Sequence, residues 1–259
     1  MLLATLLLCV LCASTACGGG SSATPPPSNL LSGNFEISLA RHLHPDEPLI
    51  LTGFLQQTGT SISGSVIFNG SPIPGGGCSG VGPVTGGIDG QNLSLSINEF
   101  GQDVSLTGTV PSVGAALGGQ YSTIAGACID FSTGTWSAVQ VKPIAGPFHG
   151  TLVSPAGTVE VTGTLDQGSN TGASNAPLSG SITAGTPAPF CAYLTTATVT
   201  GFISGTAVTL NLFSANGTQI SQIPATVSTD GTALTGTYVF PKLSKNCLGD
   251  EGTIQLTFP

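Results

Sequence analysis

From residue 33 onward, apolar and polar positions alternate with a period of two. Phe35, Ile37 and Leu39 alternate with Asn34, Glu36 and Ser38, the pattern of a strand with one buried and one solvated face. Similar runs fall at 49–57, 61–68, 84–88, 92–97, 103–110, 116–124 and 135–141, with a Gly/Pro-rich loop over 70–83. A second series follows at 148–154, 158–166, 178–183, 192–203, 207–213, 219–227, 234–240 and 252–258. Asp89-Gly90, Asn216-Gly217 and Asp230-Gly231 stand between runs as hairpin turn signals. No segment shows helical periodicity.

The two series are copies of one another. VTG at 84–86 returns as VTG at 199–201, LSLSI at 93–97 as VTLNL at 208–212, and LGGQY at 117–121 as LTGTY at 234–238. Gly134-Thr135-Trp136 returns as Gly252-Thr253-Ile254. Two tandem domains are therefore predicted, over 33–143 and 144–259, joined near Lys142-Pro143. Short strands with tight turns predict an all-β fold of two up-and-down antiparallel β-barrels of about eight strands each. Thr-Gly pairs at 52–53, 107–108, 162–163 and 235–236 suit the bends that a small barrel requires. Two β-sandwich domains are the alternative. A single membrane-spanning barrel of about sixteen strands is a third possibility, disfavoured by the scarcity of aromatics for two girdles.

Composition narrows the partners. Only 6% of the 259 residues are charged and the net charge is −8, against about 25% charged in an average domain. Four Lys or Arg cannot neutralise a phosphate backbone, which excludes nucleic acid as a partner.

The N-terminus carries an address. Residues 1–16, MLLATLLLCVLCASTA, form an apolar run ending in small residues, too short to span a bilayer and read as a signal peptide. Ser14-Thr15-Ala16-Cys17 followed by Gly18-Gly19-Gly20 resembles the lipobox of bacterial lipoproteins. That resemblance implies cleavage before Cys17, lipid attachment to Cys17, and a membrane partner through the lipid anchor. By analogy with Gram-negative bacteria it places the protein in the cell envelope, at the outer membrane. Residues 17–32 then form a Gly/Ser-rich linker stiffened by Pro25-Pro26-Pro27.

Beyond the signal and Cys17, four cysteines remain: Cys78, Cys128, Cys191 and Cys247. An exported chain meets an oxidising compartment. Cys78 and Cys191 both precede a VTG strand, and Cys128 and Cys247 both follow the Tyr strand. The duplication thus predicts one disulfide per repeat, Cys78–Cys128 and Cys191–Cys247, each worth about 4 kcal/mol in the chain-entropy model.

Catalytic chemistry is scarcely represented. There are three histidines and no G-x-S-x-G turn. His42-x-His44 with Asp46 and Glu47 resembles a metal site, but Pro45 and Pro48 make it a loop and the second repeat has no counterpart. No metal site, cofactor or enzymatic activity is predicted. Trp136 with Phe131 could line a cavity, since an eight-stranded barrel can hold one small ligand; a core role for Trp136 is the simpler reading. The expectation is a non-catalytic module for a small apolar ligand or a glycan, with a structural or surface-interaction envelope protein as the alternative.

Overall fold

The computed structural model describes residues 30–41, 46–68, 80–99, 102–110, 117–123, 133–185, 192–242 and 249–259. Its strands close into rings twice. The first ring comprises β1 (Gly33–Arg41), β2 (Leu49–Thr58), β3 (Ser61–Phe68), β4 (Gly80–Asp89), β5 (Asn92–Glu99), β6 (Gln102–Thr109), β7 (Leu117–Thr123) and β8 (Thr133–Val141). The second comprises β9 (Pro147–Ser154), β10 (Gly157–Gln167), β11 (Ala176–Ala184), β12 (Ala197–Ser204), β13 (Ala207–Ser214), β14 (Gln219–Val227), β15 (Ala233–Phe240) and β16 (Asp250–Thr257). Within each ring every strand pairs antiparallel with its chain neighbours, and the β1–β8 and β9–β16 pairs close the two barrels. This is the tandem meander that the duplication predicts, and separate closure rules out a single ring of sixteen strands.

Period-two alternation explains the polarity of each barrel. Ile37, Leu51, Val84, Leu95 and Leu106 lie in one contiguous apolar interior, and Val161, Leu178, Val199, Leu210 and Leu256 in the other. The opposite faces carry Thr, Ser and Gln. Leu31, two residues before β1, also enters the first core, held by its N–H donating to Gln57 Oε1 at 3.2 Å. In the second barrel Leu194 plugs one end from a single 3-10 turn, Ala192–Thr195. Phe148 and Phe258 pack edge to face at 5.9 Å in the same core.

Two segments differ from the pattern reading. Gly80–Pro83, assigned to a loop by composition, begins β4, with Pro83 opposite Ser65. Gly82 lies close beneath Phe68 and Ile97, so a glycine satisfies an inward position that alternation alone cannot reveal. Residues 192–195, read as strand, form the 3-10 turn.

Glycine makes the closure possible. At all four Thr-Gly pairs, a Cβ on the glycine would overlap a carbonyl oxygen of the adjacent strand: Ser65 at Gly53, Gly118 at Gly108, Ser181 at Gly163 and Pro224 at Gly236. Strands that coil tightly enough to close at eight bring backbone to within the space a side chain would fill. The repeated Tyr and Gly-Thr motifs have a related origin. Tyr121 stands opposite Gly134 and Tyr238 opposite Gly252. Each ring covers the bare glycine of its neighbour, with Tyr121 Cε1 2.7 Å from where a Gly134 Cβ would lie. Burial pushes the Tyr238 phenol up to about 12, and its hydrogen bond to Asp250 adds to the shift.

Replacing Gly134 with Val drives a side chain into Tyr121 and the Ala40 carbonyl. Urea denaturation should show a loss of about 2–3 kcal/mol, the cost of overpacking a closed core.

Candidate functional site

One strand breaks the alternation. On β2 the inward positions are Leu49, Leu51, Gly53, Leu55 and Gln57, yet outward Thr52 and Phe54 are only 2% and 7% exposed. Phe54 belongs to the apolar cluster of the second barrel, with Ile144 and Val141. The second barrel therefore covers the outer face of β2.

Around this apolar contact the interface is polar, and among the described residues Asn34, Thr52 and Ser204 each have a partner. Asn34, 3% exposed on the outer face of β1, treats Gly205 as a strand would. Its Nδ2 donates to Gly205 O at 2.8 Å, and its Oδ1 accepts from Gly205 N at 2.6 Å. Gly205 occupies the β12–β13 turn at φ +56° with Thr52 packed against it, so a side chain there is excluded on both counts. The Ser204 hydroxyl bridges Thr52 Oγ1 at 3.0 Å and Ser174 O at 2.7 Å, and Thr206 hydrogen-bonds Glu36. The linker is fixed as well: Lys142 N donates to Thr229 O at 2.9 Å, and Gly231 packs against the Lys142 and Pro143 carbonyls.

Beside this contact the two barrels leave a cleft of about 550 Å³, within the usual range of small-ligand sites. One wall is Phe54, Leu55 and Gln56 of β2 with Ser63 and Gly64 of β3. The facing wall is Gln167, at the end of β10, and the loop carrying Gly168, Ser169, Asn170 and Gly172; Pro143 of the linker also borders it. Among the described residues that line it, none ionises. Asn170 is committed to shaping its loop, donating from Nδ2 to Ala173 O and Asn175 O at 2.7 Å each and accepting from Gly172 N at 2.8 Å. Gln56, Ser63 and Ser169 are exposed, which leaves an amide and two hydroxyls facing solvent.

Gln167 is the anomaly. Its Oε1 is buried and has no hydrogen-bond partner among the described residues. The equivalent residue of the first barrel, reached by matching Thr52-Gly53-Phe54-Leu55 to Thr162-Gly163-Thr164-Leu165, is Gln57. There Oε1 accepts from Leu31 N, and Nε2 donates to Gly59 O at 3.0 Å. The second copy retains the amide without the partner, at a cost of about 1–3 kcal/mol for an unmet acceptor.

The residues singled out by the sequence lie elsewhere. Trp136 is 3% exposed inside the first barrel, its Nε1 donating to Thr107 O at 2.9 Å. Phe131, His42, His44 and all of Cys17, Cys78, Cys128, Cys191 and Cys247 lie outside the described residues. Alternation marks outward positions as solvated and so does not reveal the cleft. The signal was present in β2: LILTGFL is apolar at outward Ile50 and Phe54 as well as inward, which marks a strand covered on both faces.

Two measurements check how the walls are held. Asn34→Ala strands the buried N–H and C=O of Gly205, and calorimetric unfolding should register a loss of about 2 kcal/mol. Asp230 accepts from the Ser228 and Thr232 hydroxyls at 2.6 and 2.8 Å. Those bonds, Ser228 first, lower its carboxyl from 3.8 to about 2. A lowered carboxylate contributes stability above its unfolded value that disappears as pH falls through the folded one. The turn gripping Lys142 should therefore weaken between about pH 4 and pH 2, and Asp230→Asn should remove that part of the pH dependence.

No protein-family model, curated protein or solved structure matches this chain, so its functional reading rests on the residues themselves.

Proposed function

We propose that this chain is a non-catalytic, lipid-anchored envelope protein that binds a neutral, hydroxyl-rich ligand, a glycan, in the cleft between its barrels. The observation that carries the reading is the lining of that cleft. It offers amides and hydroxyls at Gln56, Ser63, Gln167 and Ser169 beside the apolar Phe54 and Pro143, with no ionisable side chain among the described lining residues. Acid–base or nucleophilic chemistry needs a titratable group at the reacting atoms. Recognition of a neutral polyol needs neutral donors and acceptors beside apolar surface.

A glycan fits better than a small apolar molecule. An apolar ligand would favour a barrel interior, and both interiors are occupied by their own side chains. The Gln167 acceptor also favours a ligand that carries O–H groups: rotating the terminal amide toward the cleft would let a sugar hydroxyl meet it. The lipobox-like segment ending at Cys17 and the Pro-containing linker to residue 32 fit a binding module held at a membrane surface and facing outside the cytoplasm.

Isothermal titration with glucan, mannan and xylan oligomers tests the reading. At least one neutral series should bind with an affinity insensitive to salt, because no charges are screened. Ser63→Trp, which fills the cleft from an exposed position, should weaken it at least tenfold, about 1.4 kcal/mol. Binding confined to acidic sugars or to fatty acids, or unchanged by Ser63→Trp, would refute the assignment.

A further inference from the structure

The outer face of the second barrel carries a row of residues that starts at the edge of the cleft. Gly168, a cleft residue, donates its N–H to Pro177 O at 2.9 Å, and a Cβ on it would lie 3.0 Å from Pro177 Cγ. Pro177 stands opposite Phe202, Phe202 opposite Thr209, and Thr209 opposite Pro224. All four are outward positions on β11 to β14. Phe202 is 43% exposed, on a face where Thr and Ser otherwise predominate. Three inter-strand steps make the row about 14 Å long at ~4.8 Å per strand.

The adjacent outward row is Ser179, Thr200, Asn211 and Gln222, paired across the same strands. Its amides are organised: Gln219 and Gln222 donate to Asn211 Oδ1 at 3.3 and 3.2 Å. Neither row contains an ionisable residue. An aromatic face is electron-rich and attracts the weakly positive C–H groups of a sugar ring, while amides and hydroxyls one row away meet its hydroxyls. A second protein strand could not add here by backbone pairing, because a closed barrel offers no free edge.

We propose that this row is a second subsite and that the ligand is an extended neutral polysaccharide, which leaves the cleft past Gly168 and lies across Phe202. The proposal rests on the cleft reading and adds the ligand's length and direction. Phe202 is the residue that rewards length.

The test is a titration of the folded chain with one neutral oligosaccharide series, from disaccharide to hexasaccharide. Wild type should gain at least tenfold in affinity along the series. Phe202→Leu keeps an apolar side chain but removes the ring, and should erase that gain while leaving disaccharide binding intact. Phe202→Trp should preserve it. Ser63→Trp should weaken the disaccharide itself. If Ser63→Trp acts as stated but Phe202→Leu keeps the full dependence on length, the subsite is wrong and the cleft stands. If wild type binds no member of the series, both fail. If Phe202→Leu instead converts a dimer to a monomer in sedimentation, the row is a contact between copies of the chain and the proposal is overturned.

Discussion

The structure depends on how closely two strands can approach. A barrel of eight short strands closes only if the backbone bends sharply, and the bend brings carbonyl oxygens to where a Cβ would otherwise be. Gly163 and Gly180 show the constraint from both sides of one strand pair. A Cβ on the first would overlap the Ser181 carbonyl, and one on the second the Thr164 carbonyl. The many Gly of this sequence are thus part of a folded architecture rather than a sign of a disordered chain. Closure also settles the problem of low charge: strands coated with Thr and Ser would be adhesive along an open edge, and here no edge is left open.

Closure alone would give two beads on a string. What makes one object of them is the departure of one copy from the other on an outward face. β2 and β10 share the Thr-Gly-x-Leu core, yet the x residue is Phe54 in the first and Thr164 in the second. Phe54 drives the first barrel against the second, and Asn34, Thr52 and Ser204 satisfy the polar groups buried around it. A contact whose buried donors and acceptors are met has one good register. The protein's own contacts therefore set the separation of the cleft walls, which would reduce the ordering cost of the proposed glycan binding.

Much of the fold was legible in the sequence because its causes are local or repeated. Period-two alternation assigns strands, turn glycines bound them, and an echo about 115 residues away divides the chain. The alternation failed where glycine replaces an apolar inward residue, as at Gly82 in β4. The cleft was not legible in the same way. Periodicity tells which face a residue occupies and not what lies opposite that face, and Gln56 and Ser169, more than a hundred positions apart in the chain, line facing walls of one cleft. Trp136 sits at an inward position of β8, where alternation assigns its ring to the interior and supports the core reading over a cavity lining.

Duplication followed by divergence accounts for where the unusual residues lie. Inward positions are constrained alike in both copies, since each must fill a barrel of the same size; Tyr121 and Tyr238 cover equivalent glycines for that reason. Outward positions are free of that constraint, and there the copies part. At the strand ends even an inward residue can differ in its partners, as Gln57 and Gln167 show. They are equivalent in the repeat and chemically identical, but the chain preceding β1 supplies Leu31 N to the first. The segment preceding β9 instead supplies the Ile144 carbonyl to the backbone N–H of Gln167, and no donor to its side chain among the described residues. The amide conserved between the copies is thus structural in one and unmet in the other, and the unmet one borders the cleft that only the pair of barrels creates.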